Sequence, residues 1–84
     1  MMAAYWYAGL KRGSRFAYLA GPFALPAQCE MWIAAAHDAA AEIDPAAWFD
    51  AAGALKLETR QSPPPAGRLN HILGLPLDGL CDFS

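Results

Sequence analysis

Residues 15–43 read RFAYLAGPFALPAQCEMWIAAAHDAAAEI, and within this one stretch the apolar period changes from two to 3.6. Arg15-Phe16-Ala17-Tyr18-Leu19-Ala20 alternates large and small side chains, as a strand packed through one face does. Gly21-Pro22 is expected to stop it, because proline cannot donate to a sheet ladder and restricts the residue before it. From about Pro26 to Ile43 the spacing predicts a single helix. Leu25, Cys29, Trp32, Ala36, Ala39, Ala40 and Ile43 share one stripe with Ile33 at its margin, while Glu30, His37, Asp38, Ala41 and Glu42 face away. Pro26 suits the first helical turn, where its missing N–H has no partner to lose, and Glu30 lies near the positive end. Alanine lets such a helix sit close to a sheet, with Trp32 as the expected wedge.

Upstream, Ala3-Tyr5-Trp6-Tyr7-Ala8 is a second aromatic strand, joined to the first by Lys11-Arg12-Gly13-Ser14, where Gly13 supplies the backbone freedom of a tight hairpin. Downstream, Asp44-Pro45 is a cap followed by a first-turn proline, which predicts a short helix through Ala46-Ala47-Trp48-Phe49-Asp50. Leu55, Leu57 and Thr59 then alternate with Lys56, Glu58 and Arg60, the pattern of a strand with one wet face. The expected fold is therefore α+β: a small antiparallel sheet in the order strand, strand, helix, short helix, strand, covered by one main helix. Strand order does not follow from these signals. The expected organisation is a core over residues 1–60, a proline-rich connector over 61–67 and an apolar segment over 68–84. Leu69, Ile72, Leu73, Leu75, Leu77, Leu80 and Phe83 make that last segment too apolar for a free tail, so it should pack on the core or on a partner.

The chain has 84 residues and a formal charge of −2, so folding buries a thin core and no general attraction to a polyanion follows. Lys11 and Arg12 interrupt the first apolar run, which excludes a membrane span, and nothing basic precedes that run as a secretion signal requires. A cytoplasmic protein is the expectation. Cys29, His37, His71 and Cys81 lack the close spacing of a zinc site, and Cys29 lies on the buried stripe. Serines are few and sit outside any strand-to-helix elbow, so neither an enzyme nor a cofactor is expected.

Charge is unevenly laid out. Lys11, Arg12 and Arg15 precede residue 29 with no acid, whereas residues 29–50 carry Glu30, Asp38, Glu42, Asp44 and Asp50 with no lysine or arginine. Together with His37 these five acids form a candidate docking surface for a basic partner, where complementary fields speed encounter and reject wrong partners. An alternative nucleic-acid site combines Lys11, Arg12, Arg15 and Tyr18 on the aromatic hairpin, although three charges weigh against direct binding.

The run Arg15 to Phe23 followed by an alanine-rich helix resembles the strand, Gly-Pro-Phe, helix unit of SPOR-type peptidoglycan-binding domains, which in that family occurs twice and here once. With Asp44-Pro45, Phe49 and Gly53 added to Gly21-Pro22-Phe23, residues 12–58 also resemble a group of small uncharacterised proteins of phages and mobile elements. That second resemblance implies a non-enzymatic inhibitor of the anti-CRISPR kind, occupying a basic surface of a host protein or ribonucleoprotein complex. A small structural protein, as a homodimer or larger oligomer, is a further alternative.

Overall fold

The computed structural model describes residues 2–81. Its three strands, β1 (Ala3–Arg12), β2 (Arg15–Phe23) and β3 (Ala51–Thr59), form one antiparallel sheet in the order β2-β1-β3. The β1/β2 hairpin turns at Gly13–Ser14, and Gly13 has a φ of 61°. Between β2 and β3 lie α1 (Pro26–Glu30), α2 (Ile33–Ile43) and a 3-10 turn, η1 (Pro45–Phe49). A one-turn helix, α3 (Asn70–Leu73), follows the proline-rich segment. The chain is thus a small α+β domain with helices flanking a three-stranded antiparallel sheet.

Residues paired across an antiparallel ladder share a face. Ala8 pairs with Ala20 and Ala54, and Leu10 with Ala17 and Ala52, on the side where Cys29, Ala36, Ala40 and Ala47 complete the core. The helices therefore cover the face of β1 that carries Trp6, Ala8 and Leu10. On the opposite face Tyr5, Tyr7, Gly9 and Lys11 pair with Leu57, Leu55, Gly53 and Ala51 of β3, and Gly9 and Lys11 with Tyr18 and Phe16 of β2. Gly9 is required there, because a Cβ would run into the carbonyl oxygen of Ala17 and the side chain of Leu55.

The expected single helix from Pro26 to Ile43 is instead two. α1 ends at Met31, and α2 starts after Trp32, whose carbonyl receives the Ala36 N–H. A stripe drawn for one continuous helix cannot hold across this turn, so Leu25 and Ile43 are exposed while Cys29, Ala36 and Ala40 are buried. Trp32 is only half-buried, and Phe23 is the large side chain sealed in the core. Truncating Phe23 to alanine is expected to cost about 3–5 kcal/mol, a large share of a domain this small.

Gly21-Pro22 does not end β2, which runs on to Phe23. β2 is an edge strand of this sheet, so its outer side needs no ladder donor at Pro22. Instead the Pro22 carbonyl accepts from Cys81 N–H, and Gly67, Arg68 and Leu69 donate to the carbonyls of Gly21, Tyr18 and Leu19. At the centre of this clasp lies Asn70, the buried polar side chain: its Oδ1 accepts from Gly21 N–H, and its Nδ2 donates to the carbonyls of Gly21 and Pro76. Tyr7 ties the proline-rich stretch to the open sheet face by donating its hydroxyl to Pro65 O. Cys29 and Cys81 are buried free thiols.

Candidate interaction surfaces

Glu30, Asp38 and Glu42 lie exposed on α1 and α2, and among the described residues their carboxylates take part in no side-chain hydrogen bond or ion pair. Their charge is free to act on whatever approaches. Asp44 and Asp50 behave differently. Arg12, at the end of β1, places Nε 2.8 Å from Asp50 Oδ1 and Nη2 3.4 Å from Asp44 Oδ2. The Arg12 hydrogen bond holds the Asp50 carboxyl below its usual range, and the same contact raises Arg12. Asp44 Oδ1 also caps η1 by accepting from Ala46 N–H. These two acids join the hairpin to η1 instead of extending the open acidic surface.

His37 is likewise not the wet side chain the helical period predicts. Its Nε2 lies 2.9 Å from the Ala47 carbonyl, so the ring carries a proton there and donates. Trp48 stacks on the same ring, with centroids 5.1 Å apart and planes 20° off parallel. The cause is η1, which folds back against α2 and brings its carbonyl and indole onto His37. A five-residue turn capped by Asp44 and started by Pro45 cannot bury both of its consecutive aromatics. Trp48 remains 57% exposed and Phe49 88% exposed. The period-based reading missed this shelf, although its signal was present in two adjacent aromatics directly after an Asp-Pro cap.

The four residues of the alternative nucleic-acid site are not brought together. Lys11 and Tyr18 belong to the open sheet face, where Lys11 Nζ lies 5.8 Å from the centroid of Phe16 and Tyr18 meets Tyr7 edge-on at 5.2 Å. A cleft of about 310 Å³ opens there between Tyr7, Phe16, Tyr18, Leu57, Pro65 and Arg68. Arg12 and Arg15 face each other across the ladder on the helix side, and Arg12 is already held by two carboxylates. Both line a second cleft of about 460 Å³ whose charges are mixed, with Asp44 and Asp50 beside Arg12, Arg15 and Arg68.

Among the described residues no three histidine, cysteine or acidic side chains converge as metal ligands. Among the described residues no helix is long and apolar enough to cross a membrane. Comparison with protein-family models, curated proteins and solved structures returns no match.

Proposed function

We propose that this protein is a non-enzymatic interaction module that sets the Trp48–Phe49 shelf and the open carboxylates of Glu30, Asp38 and Glu42 on a basic surface of a larger partner. The observation that carries the reading is the exposure of two adjacent aromatics on a turn fixed by the Asp44 cap and by the stack on His37. Such rings are poorly used in water. At interfaces, rigid aromatics dominate the binding energy, and surrounding charge selects the partner and speeds encounter. A partner that normally grips nucleic acid offers a positive groove of this kind. A host CRISPR effector, met by a phage or mobile-element inhibitor, is one such partner.

The test is capture from bacterial lysate by the immobilised protein, with two variants that leave the core untouched. Trp48→Ala/Phe49→Ala removes the shelf, and Glu30→Lys/Asp38→Lys/Glu42→Lys reverses the charge. Both are expected to lose the same captured protein, while circular dichroism stays that of the parent. Equal capture by parent and both folded variants overturns the proposal.

A further inference from the structure

We propose that β3 pairs antiparallel with β3 of a second copy of this chain, about a two-fold axis through Leu57, to give one continuous six-stranded sheet. The order β2-β1-β3 leaves two edges. The outer edge of β2 is occupied by the backbone of residues 67–69 and Cys81. Among the described residues no backbone hydrogen bond from a loop or cap reaches β3. Isolated edges are blunted by a proline, a bulge, very short length or charged side chains. β3 is nine residues long, lacks proline and keeps an unbroken register with β1 from Ala51 to Thr59, so its only such device is the charge of Lys56 and Glu58, one of each sign.

Its charges select a second copy as the occupant. Lys56 and Glu58 are exposed and sit 3.6 Å apart along the same strand. In antiparallel self-pairing centred on Leu57, Lys56 stands opposite Glu58 of the second copy, and Glu58 opposite its Lys56. Leu57 meets Leu57 on the other face, with Leu55 opposite Thr59. Moving the axis by one residue to either side sets Lys56 against Lys56 or Glu58 against Glu58, which repel. Of these three registers the one centred on Leu57 is favoured, by both ion pairs and by the apolar contact at the axis, and it pairs residues 55–59 of one copy with 55–59 of the other. In this register the small residues Ala51-Ala52-Gly53-Ala54 stand opposite residues 63–60 of the second copy, beyond its strand, and their lack of bulk leaves that flank open; a Cβ added at Gly53 would meet nothing within 4 Å.

Sedimentation velocity on the whole chain, over a wide range of protein concentration at low salt, is expected to resolve monomer and dimer. Lys56→Glu leaves acids facing one another across the axis and should weaken the dimer by about tenfold or more. Lys56→Glu/Glu58→Lys restores the pairing and should restore the dimer. Both positions are exposed, so circular dichroism confirms that each variant is folded. A chain that stays monomeric at all concentrations overturns the proposal, as does a dimer indifferent to Lys56→Glu or one the double variant fails to rescue.

Discussion

Replacing Asn70 by alanine tests whether one buried amide holds the clasp on β2. The substitution deletes three hydrogen bonds: from Gly21 N–H at 3.2 Å, to Gly21 O, and to Pro76 O at 2.8 Å. The Gly21 carbonyl keeps a second donor in Gly67 N–H, so it is not stranded. Gly21 N–H is stranded in a buried site, at roughly 1–3 kcal/mol, and the other lost bonds add about 0.5–1.5 kcal/mol each. The sum is about 2–6 kcal/mol, against roughly 4–12 kcal/mol of total stability for a chain of this size. Urea denaturation followed by tryptophan fluorescence reads the loss directly, and Tm should fall by at least about 8 °C. A second readout is local. The Asn70 amide lies 4.0 Å from Cys81 Sγ, and Cys81 is buried, so loosening the clasp should speed its reaction with a thiol reagent under native conditions. A loss below about 0.5 kcal/mol with unchanged thiol reactivity would refute the argument that this amide organises the segment.

Burial pushes the Tyr7 hydroxyl up to about 12, so the fold favours its neutral form, and stability falls as pH rises from about 10 toward 12. Tyr7→Phe should remove that slope while costing about 0.5–1.5 kcal/mol at neutral pH. The buried thiols of Cys29, pushed to about 11, and of Cys81, raised by burial, act in the same sense, so the comparison is made in a Cys29→Ala/Cys81→Ala background. Asp50 has the opposite sign. Its carboxyl is held down by Arg12, so its contribution is present above the usual carboxylate range and lost as pH falls below about 4, and Asp50→Asn should flatten the acid side of the stability profile. Gly67→Ala should destabilise by about 1–3 kcal/mol in a thermal melt, because the new Cβ meets Leu19 O at 2.6 Å and Ala20 Cα at 2.7 Å, whereas Gly53→Ala should be near neutral.

The elements were legible where a local signal determines them. Alternation marked β2 and β3, aromatic content marked β1, and Asp44-Pro45 marked the start of η1 through a cap that depends only on neighbours. The break at Met31–Trp32 left no trace, because no glycine or proline falls near it to punctuate the run from Gln28 to Ile33. His37 and Arg12 were misplaced for a related reason. Their partners, Ala47 and Trp48 for one and Asp44 and Asp50 for the other, arrive only when η1 folds back. Asn70 was invisible as a hub because its partners, Gly21 and Pro76, lie on either side of it at 49 and six residues' distance. The open carboxylates of Glu30, Asp38 and Glu42 stand where helical spacing puts them, since exposure on a short helix depends on little else.

The clasp on β2 also sets an order of events at the ribosome. Strands 1 and 2 can zip as soon as their hairpin emerges, but the carbonyls of Tyr18, Leu19 and Gly21 wait for donors more than 45 residues further along. While those donors are still inside the exit tunnel, the nascent sheet presents its outer rim to its surroundings or to chaperones. Translation pauses placed after residue 60 would lengthen that window, and pauses before residue 15 would not.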